Sequence, residues 1–361
     1  RLQATPGIGP ISALKLIRCF GGAAAIFSQS GRCLEKVTGI GGKMARSLRD
    51  GRTRDLAEAE WQRLQEGGIR CIPYGGPGYP HLLRQCADAP LLLFARGGAS
   101  LAKRRMISIV GTRKMTRHGR VACERLIAGL VPYHPVVVSG LAHGVDICAH
   151  RAALGAGLET VACLAHGLDQ VYPEGHGRFL PGILEQGAVV SEFWMGTPPQ
   201  PMHFVRRNRI IAGLSEATLV VESAAKGGSL ITADLAFGYD REVFAIPGRP
   251  GDPFSRGCHA LIRQHKARLV ESAAQLAEAM NWEGEACRKE PQTPDKRDRE
   301  DLETDERQVM LHLSQHGTST LDDIAIGCGR PVQEVAAFLF NLEMKGYVLS
   351  LPGKRYGLRG Y

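Results

Sequence analysis

The sequence contains no CxxC pair. Its ten cysteines stand singly along 361 residues, which argues against a zinc ribbon or a disulfide framework and suits a reducing cytosol. It has no long hydrophobic run either, and stretches such as APLLLFA are too short to cross a bilayer. The chain opens on RLQATPG, with no signal-peptide pattern and no initiator Met, which reads as a trimmed start. Both common nucleotide fingerprints are missing. There is no Walker A GxxxxGKS/T, and the first strand of the α/β region is not followed by GxGxxG with an acid closing the second. These absences predict a cytoplasmic protein with no membrane segment, no metal site and no cofactor.

What is present points elsewhere. Glycine is abundant at 44 residues, and 44% of the chain is hydrophobic. That balance fits an α/β protein with many tight strand–helix turns, and the length suggests two or three domains. A formal charge of +9 and a pI of about 9.1 favour anionic partners such as nucleic acid.

Residues 1–65 read as a helical domain similar to SAM or helix-hairpin-helix units. Two phrases, PGIGPISALKLI and TGIGGKMARSLRD, each place a Gly-Ile-Gly turn before an amphipathic helix. Such turn amides can hold a phosphate, and the same glycines also serve as plain helix caps. Over residues 66–282 the pattern changes. ISIVG (107–111), PVVVSG (135–140), TVACLAHG (160–167), AVVSEF (188–193), ATLVVES (217–223) and EVFAIPG (242–248) are short β-rich runs separated by helical segments. They predict an α/β fold, a Rossmann-like doubly wound parallel sheet, with two extra strands ahead of it. Residues 283–306 are charged and polar with two prolines, the composition of a solvated linker. Residues 307–361 read as three helices and a hairpin, a winged helix-turn-helix.

Ligands of an open α/β sheet sit beyond the carboxyl ends of its strands. There, GTRKMTRHGR, SGLAHGVD and ESAAKGGSLITA are Gly-rich turns opening helices, whose amides and dipoles favour an anion. The predicted phosphate contacts are Gly111, Thr112, Arg113, Ser139, Gly140, His143, Gly144, Lys226, Gly227, Gly228 and Ser229. FVRRNRIIAGLS adds Phe204, Arg206, Arg207, Asn208 and Arg209 at the start of a helix between the fourth and fifth strands. Clustered guanidinium groups repel one another and call for anions. Beside several amide nests they suit more than one phosphate, that is, a polyanion backbone.

Other constellations carry less chemistry. Ser139, His143 and Asp146 fall within eight residues, but triad members normally come from separate loops, and the elbow GxSxG is absent. Turn and helix capping is the expectation for Ser139 and Asp146, with His143 facing an anion. His143 and His150 share a helix face without HExxH or a carboxylate to complete a metal site. Asp169, Tyr172 and Pro173 are expected to make a turn. Trp194, Met195 and Phe204 are open to stacking on bases or to packing in the core.

IVGTR, SGLAHGVDICAH, HGLDQVYP, SEFWMGTPPQPMHFVRRNRIIAGLS, ESAAKGGSLITADLA and REVFAIPG cover most of residues 106–248. Together they resemble the DNA-processing protein A (DprA/Smf) family of bacterial natural transformation. The resemblance implies a non-catalytic protein that binds single-stranded DNA on its Rossmann-like domain and forms a homodimer through that domain. It also implies help in loading the RecA recombinase onto DNA coated with single-strand binding protein. It places Arg113 in the family's glycine–small–arginine turn, Phe204, Arg207, Asn208 and Arg209 in its F-P-x-R-N-R motif, and Lys226, Gly228 and Ser229 in its lysine–small–glycine–serine turn. Val205 departs from that motif's usual proline, Gly227 stands where serine is common, and His143 replaces another basic residue.

Two other classes stay open. A phosphoribohydrolase of the lysine-decarboxylase-like type uses PGGxGTxxE. Here KGGSLITADLA puts Thr232 and Ala233 where the Glu is needed and leaves Asp234 out of register, so phosphate binding is expected without hydrolysis. A duplex-binding regulator would read DNA with the third helix of the winged domain. PVQEVAAFLFNLEMKG carries one Lys, two Glu and a broad apolar face where groove readers carry Arg, Lys, Asn or Gln. Protein contact is the expectation there, with Lys354 and Arg355 left for weak phosphate contact. The dimer surface is expected at the apolar edge around EVFAIPG and the helix after it.

Overall fold

The computed structural model describes residues 1–102, 105–283, 304–345, 347–351 and 355–358. Residues 284–303 of the expected linker, and Lys354 of the wing, lie outside the described residues. The chain forms two compact units, residues 1–282 and 283–361.

The first unit begins with five helices, α1 (Pro10–Phe20), α2 (Ala23–Phe27), α3 (Gly31–Glu35), α4 (Gly42–Arg49) and α5 (Arg52–Glu66). In both Gly-Ile-Gly turns the first glycine takes the left-handed region, with φ +81° at Gly7 and +91° at Gly39, and the isoleucine is buried. Two polar contacts fasten these helices to the sheet region. Gln3 donates to the Glu192 carbonyl at 2.7 Å, and the Met195 amide donates to the Glu60 carboxylate at 2.8 Å.

Nine strands follow: β1 (Arg70–Pro73), β2 (Leu92–Gly97), β3 (Met106–Val110), β4 (Val136–Ser139), β5 (Thr160–Cys163), β6 (Ala188–Ser191), β7 (Ala217–Val220), β8 (Glu242–Ala245) and β9 (Arg268–Leu269). Among them run α6 (His81–Gln85), α7 (Arg117–Leu130), α8 (Val145–Gly155), α9 (Leu180–Gln186), α10 (Pro201–Leu214), α11 (Gly228–Gly238), α12 (Arg256–Arg263) and α13 (Ala273–Ala279). The strand order is β1-β2-β6-β5-β4-β3-β7-β8-β9. Neighbours from β6 to β9 are parallel, while β2 pairs antiparallel with β1 and β6. Every residue of β4, β5, β6 and β7 is buried. Helices cover both faces of these strands, which is why they read as unbroken apolar runs.

The winding turns at β3. The chain proceeds outward from β3 to β6, then crosses back through α10 to β7 on the other side of β3. The carboxyl ends of β3 and β7 therefore flank a topological switch point, where an open α/β sheet leaves a crevice. The expected apolar edge at EVFAIPG needs correcting. β8 lies between β7 and β9, with Val243 and Phe244 buried. The two-residue β9 pairs onto Phe244 and Ala245, so the actual edge is Arg268 and Leu269, both exposed.

The second unit contains α14 (Thr304–His316), β10 (Ser319–Thr320), α15 (Leu321–Cys328), α16 (Val332–Met344), β11 (Val348–Leu351) and β12 (Arg355–Leu358). Its antiparallel sheet runs β10-β12-β11, and Val309, Leu313, Ile324, Val335, Leu339 and Leu342 form its core. Thr320 and Asp323 make a capping box that starts α15, and Gly329 ends it at φ +63°. This is a winged helix. On α16, Phe340 and Met344 are 63% and 75% exposed, and Lys345 is committed to Glu306 at 2.7 Å.

Candidate nucleic-acid interface

The crevice at the switch point holds a cavity of about 520 Å³. The turn after β3, the turn after β7, the start of α10 and Asp146 of α8 wall it. Glu222, just past β7, ties two of these walls together. Its carbonyl accepts the Thr112 amide at 2.8 Å, and its carboxylate accepts the Thr116 amide at 2.9 Å and the Thr116 hydroxyl. Thr116 in turn caps α7 by accepting from the Gly119 amide. The turn after β4 approaches just as closely. At Gly144, with φ +76°, a Cβ would sit 2.1 Å from the Thr112 carbonyl oxygen, so only glycine fits.

The arginine cluster turns mostly inward, which corrects the expectation of three cations facing a polyanion. Arg207 is buried. Its Nη1 donates to the Gly140 carbonyl at 2.7 Å and to the Cys163 carbonyl, and a Cβ on Gly140 would lie 2.5 Å from its guanidinium. Arg206 and Arg209 both pair with the buried Glu192 carboxylate, Arg206 at 2.6 Å, and Arg209 also donates to the Asp88 carbonyl. Residues three apart share a helix face, so Arg206 and Arg209 reach one carboxylate while Arg207 points to the strand ends. Burial pushes the Asp146 carboxyl above its ordinary value, and the Arg207 charge pulls it back. Burial likewise lowers Arg207, with Asp146 opposing.

The cations left free in the crevice are Arg113 and Lys226. Both are exposed, and neither has an ion-pair partner among the described residues. The Arg113 guanidinium lies 5.2 Å from the centre of the Phe204 ring, and the Tyr172 ring is 5.7 Å from that ring on centroids. Asn208 donates to the Gly228 carbonyl at 3.3 Å, and Ser229 donates to the Ser223 hydroxyl at 3.0 Å, which sets the turn that opens α11.

Gly111, Thr112, Arg113, Phe204, Arg207, Asn208, Lys226, Gly227, Gly228 and Ser229 thus share one cavity. Ser139 does not join them. It is fully buried, and its hydroxyl donates to the Ile109 carbonyl at 2.7 Å, so it neither touches a ligand nor caps the turn. His143 is exposed, with its ring 4.7 Å from His176, so Ser139, His143 and Asp146 form no triad. His143 and Gly144 line a neighbouring groove, described below. Trp194 and Met195 pack against the core cluster containing Leu64 and Phe94. Asp169 holds its turn by accepting the Gly196 amide at 2.9 Å. Asp234 pairs with Lys266 at 2.6 Å and does not line the cavity.

Sequence reasoning missed three residues. Tyr172 was read as a turn residue, but its ring faces the crevice. Glu192 and Glu222 carried no visible signal beyond being the acids that close β6 and β7.

The fold is that of a Rossmann-like protein with a winged-helix unit, and exposed cations, small-residue turns opening helices and an aromatic pair gather at its switch point. Residues 70–281 match the family model of DNA recombination-mediator protein A, and residues 292–354 match that of the DprA winged helix domain. The chain is 36% identical over 305 residues to Protein Smf of Escherichia coli (strain K12), covering 82% of this chain and 79% of the relative. It is 35% identical over 328 residues to the putative DNA processing protein DprA of Mycobacterium tuberculosis, covering 87% and 84%. The solved DNA processing protein A of Streptococcus pneumoniae superposes with a TM-score of 0.67 at 33% identity, over 77% of this chain and 95% of that one. The Helicobacter pylori protein, solved for its single-stranded DNA binding mode, does so with a TM-score of 0.54 at 25% identity, over 59% and 95%. The chain belongs to the DNA recombination-mediator protein A family. Its role lies in DNA processing, as a recombination mediator.

Proposed function

We propose that this chain binds single-stranded DNA by its phosphates in the β3/β7 crevice and helps load the RecA recombinase, in the cytoplasm and without catalysing a reaction. The observation that carries the reading is that two exposed cations without an ion-pair partner among the described residues, Arg113 and Lys226, line one cavity together with Phe204, whose ring lies 5.2 Å from the Arg113 guanidinium. Their charges and the turn amides take phosphate oxygens, and Phe204 with Tyr172 offers a stacking surface that tolerates any base. The single-strand binding mode of the Helicobacter pylori relative supports the same ligand. Hydrolysis is disfavoured, because Thr232, a lining residue of the cavity, stands where a carboxylate is needed and the buried Asp146 carboxyl lies under the influence of the Arg207 charge.

Partnership with the recombinase and with single-strand binding protein belongs to this reading. So does a homodimer formed through the Rossmann-like domain. Exposed Phe340 and Met344 on α16, with its lysine already paired, favour a protein-contact role for the winged helix over duplex reading.

The test is fluorescence anisotropy with a labelled single strand and its duplex across a salt series. Wild type is expected to prefer the single strand. Arg113→Ala with Lys226→Ala is expected to weaken it and to reduce the salt slope by about 1.4, at roughly 0.7 per lost phosphate contact. Equal duplex binding, or an unchanged slope, would overturn the proposal.

A further inference from the structure

Beside the crevice, a second cavity of about 830 Å³ runs between α7 and α8. Arg113 lines both. Along the second stand Lys114, Arg120 and Arg151, with His143 at the rim and a single carboxylate, Glu124. Among the described residues none of these cations has an ion-pair partner. Arg151 is propped against the Phe179 ring, 5.7 Å from its centre. Farther along, the groove is lined by Ala128, Ala152 and Gly155, which leave room for a ligand backbone to lie close. Like charges gathered in a concave surface raise a field that attracts and holds an anion chain.

We propose that the α7–α8 groove is a second phosphate-binding tract, carrying the same DNA strand onward from the β3/β7 crevice with Arg113 at the junction. This rests on the crevice reading given above. It also accounts for the cationic surface that the arginines of α10 do not supply, since those are spent on Glu192 and the strand ends. The tract is backbone-directed: no aromatic ring other than His143 lines it, so it adds affinity and length dependence without base preference.

The test compares oligonucleotides of about four nucleotides with ones of about sixteen, on the full chain carrying Arg120→Ala with Arg151→Ala. Both side chains are exposed, so the fold is expected to survive. The short strand should bind as in wild type. The long strand should weaken about tenfold at low salt, and its salt slope should fall by about 1.4. A matched control, Arg63→Ala with Arg84→Ala, removes the same charge from exposed positions elsewhere and should change little. An unchanged length gain and slope, equal weakening in the control, or loss of short-strand binding would each overturn the tract. The crevice reading fails separately, if Arg113→Ala with Lys226→Ala leaves short-strand binding intact.

Discussion

A guanidinium tolerates burial only when its N–H groups find acceptors. Arg207 finds the Gly140 and Cys163 carbonyls and lies beside Asp146. Arg207→Ala would strand two buried carbonyls and remove the positive charge that opposes the burial of Asp146, at a cost of about 3–5 kcal/mol. Urea titration should show a lower midpoint with an unchanged slope. Gly140→Ala should act in the same direction, because its Cβ would strike the guanidinium. Arg113→Ala, at an exposed position, should stay within about 0.5 kcal/mol of wild type. Two arginines of the same expected site therefore separate, one holding the fold and one facing the ligand. Nothing in FVRRNR distinguishes them, since burial is set by neighbours distant in sequence.

Helix α8 is joined to the sheet by His150. Its Nδ1 lies 2.7 Å from the Thr160 hydroxyl, which gives its own proton to the Val137 carbonyl at 2.8 Å. The imidazole must therefore donate from Nδ1, leaving its Nε2 bare and without a partner. Burial, with the Arg207 charge assisting, lowers His150 to about 3. A base whose folded value is depressed contributes stability above its unfolded value, near 6.5, and loses it as pH falls toward the folded one. Asp146 on the same helix is raised and works oppositely: its contribution is present below about 3.8 and is lost as pH rises through its folded value. His150 is expected to remove on the order of 3 kcal/mol between pH 6.5 and 4, partly offset by Asp146. His150→Asn, which keeps a donor toward Thr160, should flatten the urea midpoint over that range. The strands that frame this contact were legible as continuous apolar runs. The edge strand β9 was not, because two exposed residues leave no pattern to read.

Each of the two units has its own apolar core. The crevice and the α7–α8 groove lie wholly within residues 1–282. A chain ending at residue 282 is therefore expected to keep single-strand affinity within about twofold, since all residues lining both cavities and the cores beneath them belong to that unit. Phe340→Ser with Met344→Ser in the full chain should likewise leave anisotropy unchanged while abolishing any partner contact made by α16. A large loss of affinity in either would move part of the DNA site onto the winged helix.

The sequence by itself determined the doubly wound sheet, the winged helix and the three Gly-rich turns, because these follow from local periodicity and from backbone angles that glycine alone supplies easily. It also placed the turns after β3 and β7 on one edge, since strand ends in such a sheet converge by topology, while the turn after β4 puts His143 and Gly144 into the neighbouring groove instead. Only the tertiary structure decided which charges are free. Glu192, far along the chain from Asp88 and close to α10 in space, takes up two arginines. Gly140 and Cys163 take the third, so that among the described residues lining the two cavities the exposed cations without an ion-pair partner are Arg113, Lys226 and those of the α7–α8 groove. Charge is written in the sequence, but its neutralisation depends on distances of a few ångströms between residues that only folding brings together.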